Sequence, residues 1–149
     1  MNEVTTSIEI AAPPDEVWAI IMDVERNHEW VTIHRRLGEH TGGRARVGYE
    51  MEQTLCLRGV SFDVHWRLDE CEPPRRAVWK GRGPARSTAL IVNELHALDG
   101  GTRFDYRNEF HAPFGPLGAI AGRALVGGLP RREADSSLRR LKSLVENGR

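Results

Sequence analysis

The sequence lacks the residues that usually build a metal centre. It contains two cysteines among 149 residues, Cys56 and Cys71, with no Cys-x-x-Cys motif and no histidines clustered beside them. A structural zinc site needs four closely spaced ligands. We therefore expect no metal site and no cofactor.

The chain also lacks an excess of charge of either sign. Lysine and arginine together number 21, as do aspartate and glutamate, which gives a formal net charge of zero. A protein that binds DNA or RNA without regard to sequence needs a basic face to displace counterions. The balance of charge therefore argues against a nucleic-acid partner.

No hydrophobic run is long enough to cross a membrane. The longest apolar stretch, from Phe114 to Leu129, has about 16 residues, whereas a spanning helix needs roughly 20. The first ten residues have no basic segment followed by an apolar run, which a signal peptide would show. We expect a cytoplasmic protein that does not insert into membranes.

Phosphate-binding and nucleophilic motifs are absent as well. The segment "GRGPARS", residues 81–87, lacks the Gly-Lys-Ser/Thr ending of a phosphate-binding loop. The sequence also shows no arrangement of serine, histidine and aspartate typical of a catalytic triad. With 40% apolar and 28% charged residues, the composition is that of a globular protein, and the length favours a single domain over residues 1–149.

What the sequence does contain is strand and helix periodicity. Apolar residues alternate with polar ones near the N-terminus, where Ile8 and Ile10 share a face, and this predicts a strand. A helix should follow from Pro14, since proline fixes φ at a helix start and acidic residues suit the first turn. A short helical turn is predicted near residues 28–31.

The middle of the chain predicts one strand after another. Alternating patterns cover residues 46–59, 60–70, 76–83, 87–98 and 102–111, and Arg58-Gly59 between the first two reads as a tight hairpin or bulge. One face of each strand is apolar or aromatic and the other is charged. Such an antiparallel sheet has to bury its apolar face against another element.

The C-terminal segment is the element left to cover the sheet. Beyond Pro130, Leu138, Leu141, Leu144 and Val145 recur at helical spacing. We expect a long helix from about residue 115. A proline inside a helix removes a hydrogen bond, so a kink or short break is predicted between Gly127 and Pro130. It would divide a cavity-covering half from a core-packing half.

Several segments resemble one family of proteins. They are "IEIAAPPDEVWAII" (8–21), "DGGTRFDYRNEF" (99–110), "FGPLGAIAGRAL" (114–125) and "RRLKSLVE" (139–146). The chain resembles the START/Bet v 1-like helix-grip superfamily, in particular its bacterial polyketide cyclase/dehydrase-like branch. The resemblance implies an α+β fold, in which a curved antiparallel sheet of six to seven strands, with two short N-terminal helices, holds a long C-terminal helix across its concave face. Fold does not select a function among the family's members, which include lipid and quinone carriers, polyketide cyclases and a ribosome-associated toxin group.

The resemblance also implies a cavity between the sheet and the long helix. The helix segment is rich in glycine and alanine, whereas the sheet face carries large aromatic side chains, so either a ligand pocket or an aromatic-filled core is consistent with it. The residues predicted to line a pocket are Trp30, Tyr49, Met51, Gln53, Phe62, Trp66, Trp79, Asn93, Tyr106, Asn108, Leu117, Ile120, Ala121 and Ala124.

Three of those residues are amides on otherwise apolar faces. Buried amides need hydrogen-bond partners, so Gln53, Asn93 and Asn108 are either tied to neighbouring side chains or offered to a ligand. Trp30 is a candidate lid residue at the cavity entrance.

The histidines are the obvious general bases, and each is interpreted as a surface residue. His65, His96 and His111 occupy positions whose side chains should point to the outer, charged face of the sheet. His28, His34 and His40 are expected near the pocket mouth.

Three functions remain open at this stage. The first is binding of a small hydrophobic or aromatic molecule such as a lipid, quinone or polyketide. The second is a cyclase, aromatase or dehydratase acting in the same cavity. The third is a toxin-like partner-binding protein. A homodimer is possible under any of them.

Overall fold

The computed structural model describes residues 2–111 and 129–148. Along the chain, its strands and helices are β1 (Asn2–Ile10), α1 (Pro14–Ile21), α2 (Asn27–Trp30), β2 (His34–His40), β3 (Glu50–Leu57), β4 (Val60–Glu72), β5 (Arg76–Arg82), β6 (Thr88–Leu98), β7 (Gly101–His111) and α3 (Arg131–Asn147). Short 3₁₀ turns occupy Val24–Arg26 and Pro84–Arg86.

The strands form one seven-stranded sheet in the order β1-β7-β6-β5-β4-β3-β2. Every neighbouring pair is antiparallel. The β3–β4 hairpin turns on Arg58 and Gly59, whose φ angles are 52° and 78°. Two consecutive positive φ angles match the right-handed twist of the flanking strands. The predicted tight hairpin is confirmed.

Strand β2 is an element that the alternation of side chains did not predict. Its pairing with β3 is interrupted between His34 and Arg36 and again between Leu37 and His40. It lies at an edge of the sheet, where bulges and charged side chains are common because they discourage pairing with other chains. These irregularities remove the regular period of two from its sequence.

Helix α1 starts as its sequence predicts. Pro14 occupies the first turn, and Asp15 and Glu16 stand near its positive end. Val17 and Ile21 are its buried residues, so the apolar stripe faces the core. The short helical turn predicted near residues 28–31 corresponds to helix α2, which ends at Trp30.

Helix α3 packs on the apolar side of the sheet and contributes side chains to the core. Its buried residues are Ala134, Ser137, Leu138, Leu141 and Val145. Polar contacts attach it to β1 and to the segment after it. The Lys142 ammonium donates to the Glu9 carbonyl over 2.8 Å, and the Glu146 carboxylate accepts the Ala11 N–H over 2.8 Å.

Pro130 precedes α3 with extended backbone angles, φ −61° and ψ 139°, and the helix begins at Arg131. Proline is therefore not inside this helix. The expected first half of the long helix lies outside the described residues. So do residues 127 and 128, where the predicted break begins. None of the helices in the described ranges is long and apolar enough to span a membrane.

Candidate ligand-binding cavity

A cavity of about 100 Å³ lies between the apolar face of the sheet and helices α2 and α3. Its sheet wall consists of Met51, Gln53, Leu55, Trp66, Trp79, Ile91, Asn93, Tyr106 and Asn108. Its other walls consist of Ile21, Val24, Asn27, Trp30, Val31, Ile33, Leu129, Ala134, Ser137 and Leu138. None of these described wall residues carries a charged side chain.

A smaller cavity of about 60 Å³ adjoins the first. The two share five wall residues, namely Ile33, Leu55, Trp66, Asn108 and Leu129. Phe62, which was predicted as a pocket residue, lines the smaller cavity. Among the described residues, the apolar interior therefore contains two adjoining spaces.

Most of the predicted pocket residues that the structure describes line these two spaces. Tyr49 differs, since it packs edge-on against Trp79 at 6.2 Å between ring centroids and borders a separate surface groove with Trp18 and His40. It is buried in the same core as Met51 and Trp79, so it faces the interior as the alternation predicts, although it lines neither of the two spaces. Leu117, Ile120, Ala121 and Ala124 lie outside the described residues.

Trp66 lies over the backbone of β5 because its cross-strand partner has no side chain. Gly81 is paired with Trp66, and a Cβ at Gly81 would stand 2.7 Å from the indole ring. This is closer than van der Waals contact allows. The lack of a Cβ at Gly81 therefore leaves room for the indole, which forms part of the cavity wall.

Gln53 is held by two partners on neighbouring strands. Its Oε1 accepts from Trp66 Nε1 at 2.9 Å, and its Nε2 lies 2.8 Å from His34 Nδ1. Because an indole nitrogen only donates, the Gln53 oxygen must face it and the amide NH₂ must face His34. Nδ1 of His34 is then an acceptor, so the imidazole is neutral with its proton on Nε2.

This pairing corrects the prediction that His34 is a surface histidine. Its side chain is half-buried, and burial lowers the pKa of His34 below its ordinary value, with the nearby His28 adding to the effect. Both the hydrogen bond and the pKa favour the neutral ring. His65, His96 and His111 lie on the outer face as predicted, where His65 contacts Glu50 and Glu52.

Asn108 and Tyr106 form a second pair in the cavity wall. Asn108 Nδ2 donates to the Tyr106 hydroxyl at 3.0 Å. Burial raises the pKa of Tyr106 to about 12, opposed by the bond from Asn108. The phenol is therefore protonated at neutral pH, so it can donate a hydrogen bond or a proton but cannot act as a base.

Two polar atoms in the cavity wall have no hydrogen-bond partner among the described residues. They are the side-chain oxygen of Asn93 and the indole nitrogen of Trp30, and both are fully buried. Trp30 is 6% exposed and packs edge-on against Phe104 at 6.5 Å. The prediction that Trp30 is a lid at the entrance is therefore wrong, because its ring is part of the core.

The wall residues that the sequence reasoning missed include Leu55 and Ile91 on the sheet. Most of the others come from the helices and from the segments that follow them. Asn27 lines the cavity with its Nδ2 3.9 Å from the Met51 sulfur. On α3, Ala134, Ser137 and Leu138 line it as well. Their helical spacing was visible in the sequence, but it was assigned to core packing alone. The predicted core-packing half of the long helix therefore lines the cavity as well, whereas the predicted cavity-covering half lies outside the described residues.

The model of the family described as polyketide cyclase / dehydrase and lipid transport matches residues 1–146. Among curated proteins, the chain is 25% identical over 127 residues to Toxin Rv0910 of Mycobacterium tuberculosis, covering 84% of this chain and 88% of that protein.

Solved structures share the fold at low sequence identity. TTHA0849 from Thermus thermophilus is 19% identical, with a TM-score of 0.77 and 98% of each chain covered. Ara h 8.0201, a Bet v 1-like protein, is 13% identical, with a TM-score of 0.65 and 98% of each chain covered. These likenesses confirm the helix-grip fold expected from the sequence.

Proposed function

The chain belongs to the polyketide cyclase/dehydrase and lipid transport family, and we propose that it binds a small, neutral, hydrophobic or aromatic molecule in the cavity between its sheet and its C-terminal helix. One observation carries the proposal. The sheet holds an apolar cavity with a few polar groups on its wall, which is the usual make-up of a small-molecule site.

The chemistry of the walls supports a neutral ligand. The described wall residues include no charged side chain, so an ionised group entering the cavity would lose its hydration without gaining a counterion. Apolar burial supplies the binding free energy, at roughly 25 cal/mol per Å² removed from water.

The size of the cavity supports a compact ligand. An apolar cavity of about 150 Å³ accepts benzene, and the two adjoining spaces here measure about 100 Å³ and 60 Å³. A single aromatic ring fits that scale. A second ring or a short chain would have to extend through the shared wall.

Ligand-induced stabilisation tests the proposal. Melting temperatures are measured with a panel of single-ring and two-ring aromatics, quinones and lipids, since a ligand that binds the folded state raises the melting temperature. We expect a rise with neutral aromatics and none with Ala134→Leu, which fills the cavity from α3. Ala19→Leu, on the exposed side of α1, should respond as the wild type does.

The proposal fails if no member of the panel raises the melting temperature of the wild type. It also fails if Ala134→Leu responds as strongly as Ala19→Leu does.

A second candidate is a cyclase or dehydratase in the same cavity, and the Tyr106–Asn108 pair favours it. A protonated phenol beside an amide can donate a proton to a leaving hydroxyl. Dehydration also needs a base, and the described wall residues include no histidine or carboxylate. The Nδ1 of His34, which is not a wall residue, already faces the amide of Gln53. Ligand binding is therefore the better supported of the two.

Tyr106→Phe separates the two candidates. If the cavity catalyses dehydration of a β-hydroxy ketone, this variant loses turnover while keeping the ligand-induced rise in melting temperature. Unchanged turnover in Tyr106→Phe would remove the tyrosine from the mechanism.

The likeness to Toxin Rv0910 supports a third candidate, binding of a macromolecular partner. Pull-down of ribosomal subunits tests it, with recovery no greater than that of an unrelated protein counting against it. A cytoplasmic location, a homodimer and the lack of a nucleic-acid partner stay predictions.

A further inference from the structure

Two residues that line the cavity each carry a buried polar atom that has no hydrogen-bond partner among the described residues. Asn93 projects from β6 and is 4% exposed, and Trp30 ends α2 and is 6% exposed. Both residues line the same cavity. Neither Asn93 Oδ1 nor Trp30 Nε1 has a hydrogen-bond partner among the described residues. A buried polar atom without a partner is unfavourable, and in folded proteins it is uncommon enough to need an explanation.

The other amides of the same sheet wall are paired. Gln53 contacts Trp66 and His34, and Asn108 contacts Tyr106. The environment of the wall therefore does provide partners for amides, and the unpaired oxygen of Asn93 is specific to its position. It stands between Ala77 and Tyr106 in the sheet register, and alanine offers no donor.

The two unpaired atoms differ in chemistry. An amide oxygen only accepts a hydrogen bond, and an indole nitrogen only donates one. A hydroxyl group can donate to the first and accept from the second. A carbonyl oxygen, as in a quinone, would satisfy Trp30 but leave Asn93 unpaired. A carboxylate would do the same and bring a charge to uncharged walls.

We infer that the cavity selects a neutral ligand that carries a hydroxyl group on an aromatic ring, a phenol or a quinol, with Asn93 Oδ1 accepting its hydrogen and Trp30 Nε1 donating to its oxygen. This inference rests on the proposed function, because it needs a ligand in the cavity. It narrows the ligand class from hydrophobic molecules in general to those that donate a hydrogen bond.

Three single-ring probes of similar size test the hydroxyl requirement. Phenol donates and accepts, anisole only accepts, and toluene does neither. Dissociation constants are measured by titrating each probe into labelled protein and following amide NMR shifts. For the wild type we expect phenol to bind about tenfold more tightly than toluene or anisole, because a site with a buried acceptor disfavours ligands that leave it unpaired.

Variants assign the preference to the two atoms. Asn93→Leu keeps the volume but removes the acceptor, and we expect it to weaken phenol about tenfold while toluene binds as well as before or better. Trp30→Phe keeps the aromatic ring without the N–H and should also reduce the preference. Ile91→Val, two residues from Asn93 on the same strand and wall, should change all three affinities by the same factor.

A second readout needs no ligand. Asn93→Leu removes an unpaired buried acceptor, so the melting temperature of the unliganded protein should rise, since replacing an unsatisfied polar group by an apolar one of similar shape favours the folded state. Trp30→Phe should fold as the wild type does.

The outcomes separate this inference from the proposed function. Equal binding of phenol and toluene to the wild type, or an unchanged preference in both Asn93→Leu and Trp30→Phe, overturns the hydroxyl requirement and leaves hydrophobic binding standing. Tight binding of anisole overturns it too, by showing that no donor is needed. If none of the three probes binds, both the inference and the proposed function for single-ring ligands fail.

Discussion

Two histidines at either side of the sheet illustrate how a single side chain acquires its charge state. His34 is half-buried against Gln53, and burial keeps its pKa below the ordinary value. His65 lies on the outer face, where hydrogen bonds to Glu50 and then Glu52 raise its pKa. The two residues therefore couple folding to pH with opposite signs.

The raised pKa of His65 predicts a pH-dependent contribution to stability. Folding favours the charged ring, so the contribution is fully present below the unfolded pKa of about 6.5 and is lost as pH rises through the higher folded value. His65→Gln should reduce the free energy of unfolding at pH 6 by up to about 1 kcal/mol, and by less at pH 8.5. Urea unfolding at several pH values measures the difference.

A background that lacks both carboxylates provides the control for that prediction. In Glu50→Gln/Glu52→Gln, the substitution His65→Gln should have no pH-dependent effect. A difference that persists in this background would show that the contribution of His65 does not come from the two glutamates.

At the scale of elements, β4 and β5 shape the cavity through one cross-strand pair. The Trp66 indole occupies the space that a side chain at Gly81 would fill, and the indole nitrogen donates to Gln53 on β3. Three adjacent strands thus position one wall of the cavity. The arrangement is possible because Gly81 on β5 has no Cβ.

Gly81→Ala tests the cross-strand pair. The added Cβ would approach the Trp66 ring at 2.7 Å, so the ring or the strand must move, and overpacking of this kind costs about 1–3 kcal/mol. Chemical unfolding followed by tryptophan fluorescence measures the loss. In a Trp66→Leu background the same substitution should cost less, and the remaining cost comes from Val64, whose methyl group would lie 2.9 Å from the added Cβ. An equal cost in both backgrounds would locate the strain elsewhere.

In the molecule as a whole, α3 packs against β1, the first strand of the chain, and covers the apolar face of the sheet. It contacts β1 through the Thr6–Asp135 and Lys142–Glu9 hydrogen bonds. It also contacts the segment after α2, where Ser137 accepts the Thr32 N–H at 3.0 Å. The helix is therefore part of the core and part of the cavity at once.

Truncation of α3 side chains should reveal that role. Leu141 is fully buried and Leu144 is half-buried on the same helix. Leu141→Ala should lower the free energy of unfolding by about 2–5 kcal/mol, and Leu144→Ala by a smaller amount. Urea unfolding, followed by circular dichroism and by fluorescence, measures both. Equal losses in the two variants would contradict the packing of α3 described here.

Much of the fold was predictable because its signals are local. Alternation identified the strands from β3 to β7, and helical spacing identified α1 and α3. Strand β2 escaped because its bulges break the alternation. The lid assigned to Trp30 was wrong because a residue at the end of a helix shows no periodicity that tells whether its ring faces the core or the solvent.

The period of two along each strand predicts which side chains face the interior of the sheet, and this period is visible in the sequence. Whether an interior amide finds a hydrogen-bond partner depends instead on the packing of the folded chain. Gln53 and Asn108 have partners, whereas the oxygen of Asn93 has none among the described residues. The partners of Gln53 stand on other strands, 13 and 19 residues away along the chain. Strand register and cross-strand distance bring such groups together, and neither is written in the local pattern of the sequence.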